Sequence, residues 1–136
     1  MDNQITLNKL KEWVIKVGEF QLEKLGIEVG VDTKSSGIDL VTKVDQQSEE
    51  LLIEKIKNHY PNHSILAEEG GTENTDSDYL WVIDPVDGTT NYAQGFPIFS
   101  ISVALKYQQE TILGVVYIPR LQKLYSARKN KGAFLN

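Results

Sequence analysis

Trp81-Val82-Ile83-Asp84-Pro85-Val86-Asp87-Gly88-Thr89-Thr90-Asn91 is the stretch that decides how this chain is read. An apolar, β-rich run from Tyr79 to Ile83 leads into two aspartates, and the strand it predicts stops at Asp84-Pro85. Strand ends are where a rigid scaffold meets solvent, so they position ligands well. Pro85 stiffens the exit and removes one backbone donor. Gly88 permits a turn or the close approach of another group. Thr89 and Thr90 then open a helix, whose free backbone amides attract a phosphate. Two carboxylates this close repel one another, and a hard divalent cation resolves the repulsion. Mg²⁺ takes oxygen ligands and completes its octahedron with water. A second cation about 3.5–4 Å from the first would suit in-line displacement at phosphorus. Asp-Pro and Asp-Gly alone are ordinary turn chemistry. The complete run, with a strand before it and the acidic pair Glu68-Glu69 upstream, points instead to cation and phosphate binding. Glu68 can contribute only if its own short strand, Ser64 to Ala67, neighbours the strand that ends at Asp84.

Towards the N-terminus the periodicity becomes helical. Leu7, Leu10, Trp13, Val14, Val17 and Leu25, with Phe20 nearby, predict a helix over 6–25, with Thr6 as its cap and Gly26 as its stop. Ile27 to Ile38 reads as an irregular or weakly extended loop, punctuated by Gly30, Gly37 and Ser35-Ser36. Asp45 is a plausible N-cap for a second helix to about Tyr60, with a stripe of Leu51, Leu52, Ile56 and Tyr60; Pro61 and Asn62 close it. Trp13, Phe20 and Trp81 are expected in the core, and His59 and His63 at a solvated helix end.

Towards the C-terminus the period is that of strands. Phe99, Ile101, Val103 and Leu105 alternate with Ser100, Ser102, Ala104 and Lys106 in a strand ending at Tyr107. Thr111 to Ile118 follows a polar turn at Gln108, Gln109 and Glu110, and Leu124 to Ala127 is the next strand. These three predict an antiparallel meander. A turn at Lys129 to Gly132 then leads into apolar Ala133-Phe134-Leu135. Two helices before a run of strands predict an α+β fold, with the helices packed on an antiparallel sheet.

Composition narrows the function. A chain of 136 residues with 40% hydrophobic content is a one-domain globular candidate. Its 14 basic against 19 acidic residues give a net charge of −5, which argues against nucleic acid as a bulk partner. A small phosphorylated substrate stays open, because a bound divalent metal reverses the local sign. The absence of cysteine excludes disulfides, thiolate metal sites and a cysteine nucleophile. No apolar run approaches the roughly 18 residues of a membrane span, and Met1 to Lys11 lacks a secretory signal pattern; a cytoplasmic protein is the default expectation.

Asp84-Pro85-Val86-Asp87-Gly88-Thr89-Thr90-Asn91 resembles the signature of the inositol monophosphatase family, among the lithium-sensitive, metal-dependent phosphatases that include fructose bisphosphatases. Asp39-Leu40-Val41-Thr42-Lys43-Val44-Asp45, Ala67-Glu68-Glu69-Gly70 and Gly95-Phe96-Pro97 also resemble segments of that family, so the likeness covers Trp13 to Asn136. The resemblance implies two or three Mg²⁺ ions held by Glu68, Asp84, the Val86 carbonyl and Asp87. Glu68 and Thr89 would orient the attacking water, with Asp45 behind them hydrogen-bonding Thr89. The amides of Gly88 and Thr89 would hold the substrate phosphate beside Val86 and Asp87, and Lys34 would lie in a loop over the site. It further implies a homodimer, a layered α/β/α/β/α sandwich and a chain about twice as long, with a second Trp-Asp signature. Residues 1–136 contain no match to that signature and are expected to be the N-terminal, metal-binding half. Inositol monophosphate is the leading substrate; NADP, fructose bisphosphate and adenosine 3′,5′-bisphosphate are alternatives, as is a non-catalytic metal- or phosphate-binding fragment.

Overall fold

Asp2 starts the first helix. Its Oδ1 accepts hydrogen bonds from the amides of Gln4 at 2.9 Å and Ile5 at 3.2 Å, which satisfies donors that the first turn leaves open. The expected cap, Thr6, instead lies inside the helix, buried, with its Oγ1 at 2.8 Å from the Tyr60 hydroxyl. The computed structural model describes the backbone of residues 1–31, 37–67, 71–73 and 76–136, and the side chains of residues 1–25, 40–67 and 76–136. Helix α1 spans Asn3–Val31 and helix α2 spans Gly37–His59. Both exceed expectation. A single glycine costs a helix about 1 kcal/mol and does not end it, so α1 runs on past Gly26. Asp45 is not the cap of α2 but a buried residue within it, because Val41, Val44, Ser48, Leu52 and Ile56 continue one helical stripe on both sides of it.

Seven strands follow, β1 (Ser64–Ala67), β2 (Gly71–Glu73), β3 (Tyr79–Asp87), β4 (Ser100–Tyr107), β5 (Glu110–Ile118), β6 (Lys123–Arg128) and β7 (Ala133–Leu135), with helix α3 (Thr89–Ala93) between β3 and β4. They form one sheet in the order β2-β1-β3-β4-β5-β6-β7. The expected helices-on-sheet class holds, and β4, β5 and β6 form the expected meander. One pair, β1 with β3, is parallel, so the sheet is mixed. It arises because β2 returns antiparallel on the outer side of β1 and leaves the inner side for β3. The three residues of β2 carry no strand pattern long enough to read.

The main core lies between the helices and one face of the sheet. Leu10, Trp13, Val14, Leu52 and Ile56 meet Ile65, Trp81, Ile101, Leu105 and Leu113 there. Gly18 lets α1 lie close to the sheet: a Cβ there would come within 2.7 Å of Tyr117 Cε2 and 2.9 Å of Pro119 Cγ. A second, smaller cluster joins Leu25 of α1 and Leu40, Val41 and Val44 of α2 to Val86, Tyr92 and Phe99. It lies at the strand end where the aspartates sit, so the aspartate turn rests on core of its own.

His63 departs from the expected solvated helix end. Its ring stacks between Tyr60, at 4.9 Å and 11°, and Tyr79, at 4.5 Å and 17°. Its Nδ1 accepts the Trp81 indole N–H at 3.0 Å, which requires an unprotonated Nδ1. Burial lowers its pKa below the ordinary 6.5, so the unfolded chain takes up a proton first as pH falls. Its contribution to stability is complete above pH 6.5 and is lost as pH drops from there towards the lowered folded value. Thermal melts between about pH 7.5 and about pH 5.5 should therefore fall more steeply for the native chain than for His63→Phe. Parallel slopes would show that this ring does not titrate with folding.

Candidate active site

Strand β3 does not stop at Asp84 as expected but continues to Asp87 through a bulge. Asp84 pairs with Ser102 and Asp87 with Ser100, so β3 advances three residues while β4 retreats two. Pro85, lacking an N–H, falls within this irregularity, where no ladder bond is asked of it. The extra residue resets the alternation. Trp81, Ile83 and Pro85 are buried; Val86 is buried as well, and Asp84 and Asp87 flank that pair at less buried positions. In a regular strand, residues three apart face opposite sides. The bulge brings the two carboxylates to the same side, with one oxygen of Asp84 fully buried.

Gly88 turns the chain out of β3 with φ 102° and ψ 40°, and α3 begins at Thr89, as the sequence predicts. A Cβ on Gly88 would lie 3.4 Å from both the Cα and the Cβ of Phe99, so glycine suits both the conformation and the space. Helix α3 ends in a Schellman motif. The Phe96 amide donates to the Asn91 carbonyl at 2.8 Å and the Gly95 amide to the Tyr92 carbonyl at 3.0 Å, with Gly95 at φ 77°. Asn91 Nδ2 donates to the Ile98 carbonyl at 2.7 Å and closes the loop back to β4. Tyr92, fully buried, packs edge-on against Phe99 with ring centroids 4.9 Å apart and donates its hydroxyl to the Gln21 carbonyl at 2.8 Å.

Of the predicted site residues, Asp84, Val86, Asp87, Gly88 and Thr89 fall on this one turn. Asp45 is 5% exposed on α2, next to Val44 of the cluster that holds Val86 and Tyr92, and α2 packs against both β3 and α3. Glu68 and Lys34 lie outside the described residues. The strand leading to Glu68 is the parallel neighbour of β3, with Ala67 opposite Ile83, so the pairing the sequence left open is present. Among the described residues no group of three metal-ligating side chains converges. The described donors are two carboxylates and a backbone carbonyl, all hard oxygens, and this donor chemistry fits Mg²⁺. Gln21 and Tyr92 were not singled out by sequence, and Asn91 was read only as the end of the motif, with no role of its own. Gln21 had a signal: it continues the apolar stripe of Val14, Val17 and Leu25, where a polar side chain must find buried partners.

No helix among the described residues is long and apolar enough to cross a membrane. The Nus factor SuhB of Pasteurella multocida is 48% identical over 105 residues, covering 76% of this chain and 39% of that protein. Human inositol monophosphatase 1 is 41% identical over 140 residues, covering 100% of this chain and 48% of that one. The structure of inositol monophosphatase from Anabaena (Nostoc) sp. PCC 7120 matches with a TM-score of 0.83 at 36% identity, over 100% of this chain and 48% of that chain. The chain thus spans about half the length of such relatives, or less. The sequence model of the inositol monophosphatase family matches residues 2–136, and with the fold and these likenesses it shows that the chain belongs to that family.

Proposed function

We propose that this chain carries the cation- and phosphate-binding part of a metal-dependent phosphomonoesterase, with inositol monophosphate as its leading substrate. The observation that carries this reading is the bulge in β3, which sets Asp84 and Asp87 on one side of the strand directly before a glycine turn. Asp84, Asp87 and the Val86 carbonyl, with Glu68, which follows β1 in sequence, would hold the ions. Bound Mg²⁺ supplies Lewis acidity, an acidified water and charge neutralisation for the leaving group. The chain's own groups do the rest. The amides of Gly88 and Thr89 donate to phosphate oxygens. The Thr89 hydroxyl and Glu68 orient the attacking water, and Asp45 holds the Thr89 hydroxyl from behind. No side chain needs to act as a covalent nucleophile.

A second reading is ion and phosphate binding without turnover. Calorimetry with Mg²⁺ and a phosphate-ester assay on the 136-residue chain separate the two. The expected result is Mg²⁺ binding, with inositol monophosphate cleaved faster than NADP, fructose bisphosphate or adenosine 3′,5′-bisphosphate. Binding without cleavage of any ester would favour the second reading, and absence of Mg²⁺ binding would overturn both.

A further inference from the structure

Gln21 lies in the middle of α1, far from the aspartate motif in sequence and fully buried. Its Nε2 donates to the Pro85 carbonyl at 2.8 Å and to Ser48 Oγ, on α2, at 3.0 Å. Its own backbone carbonyl receives the Tyr92 hydroxyl from α3 at 2.8 Å. Pro85 stands between the two aspartates, and its carbonyl can only accept, so the carboxamide must present nitrogen to it. That orientation leaves Oε1 buried without a hydrogen-bond partner among the described residues. A buried amide oxygen left unmatched is unfavourable, so the side chain is set by what its nitrogen holds. The bulge also removes regular ladder bonding between Asp84 and Asp87, so the turn needs support from elsewhere.

We propose that Gln21 is a positioning residue for the cation- and phosphate-binding turn, fixing the 84–88 backbone through the hydrogen bond from its side-chain Nε2 to the Pro85 carbonyl. The assignment of ligands to that turn rests on the reading given under Proposed function; the tether itself does not. Three variants test it on the full 136-residue chain: Gln21→Met, of similar length without a donor; Gln21→Glu, similar in shape; and Ile65→Val, a core control away from the turn. Amide hydrogen exchange is read at Val86, Asp87 and Gly88 without metal, and Mn²⁺ affinity by electron paramagnetic resonance. Gln21→Met should speed exchange at these amides by about tenfold relative to β4 and β5, and weaken Mn²⁺ binding by about tenfold, the scale of a lost outer partner. Ile65→Val should do neither. Gln21→Glu should lose turn protection at about pH 8, where its carboxylate faces a carbonyl, and regain it at about pH 5, where the neutral acid donates to Pro85. A space-filling role would not produce that reversal. Protection at the turn changing only in step with the whole chain, in both Gln21 variants, would overturn the proposal. Should the native chain bind no Mn²⁺, the ion reading fails and the exchange comparison alone decides the tether.

Discussion

Asp87→Asn is expected to weaken divalent-cation binding by at least about 100-fold while leaving the melting temperature essentially unchanged. Groups that merely orient a ligand typically cost 10–100-fold in metal affinity when removed, roughly, so loss of a ligand should reach or pass the upper end. The amide keeps the shape and one weaker oxygen donor but removes the negative charge that a hard cation needs. Asp87 is exposed at the end of β3, and substitutions at such positions usually change stability by no more than about 0.5 kcal/mol. In a chain that turns over phosphate esters, the same change should lower the rate by orders of magnitude. Calorimetric titration with Mg²⁺, paired with a thermal melt, is the check. An unchanged dissociation constant would remove Asp87 from the ligand set, and an unfolded variant would make it a structural residue instead.

What the sequence made legible depended on range. Period-two alternation from Phe99 to Leu105 gave β4 to within a residue, because the pattern is local and a short turn joins β4 to β5. Long-range consequences were less visible. Nothing in Asp84-Pro85-Val86-Asp87 announces a bulge, since a bulge is defined by the partner strand: only pairing with Ser102 and Ser100 shows that one residue is extra. The start of α2 was missed for a related reason. Asp45 looked like a cap because aspartate favours helix starts, yet the preceding Leu40, Val41 and Val44 bury against Val86 and Tyr92, and that packing outweighs local preference. The motif residues were legible because their chemistry is local. Gln21, whose side chain reaches the Pro85 carbonyl, comes from α1, far away in the chain, and carries no motif.

Trp81→Ala should be the most damaging single change to the fold. Trp81 is fully buried in the first half of β3, between Ile65 of β1 and Leu105 of β4, both also buried. Its ring lies 5.8 Å from that of Tyr60, the residue after α2, and 6.4 Å from that of Trp13 on α1, so it ties α1 and the end of α2 to the sheet. Truncating a buried tryptophan costs about 3–5 kcal/mol, a large share of the roughly 5–15 kcal/mol that holds a domain together. For a chain of this length that corresponds to a fall of about 10–20 °C in Tm. Trp81→Phe separates the two contributions. It keeps an aromatic ring in the cavity but removes the N–H that donates to His63, so it should cost less than the alanine change and should shift the protonation of His63 towards its ordinary value. Trp81 also lies on the strand that ends in the aspartates, so its removal loosens the base of the turn without touching a ligand. Cation affinity in Trp81→Ala should therefore fall by less than in Asp87→Asn, while stability falls by far more. A variant that keeps the native Tm would show that the core does not depend on this ring, and one that loses affinity as completely as Asp87→Asn would mean that turn and core cannot be separated.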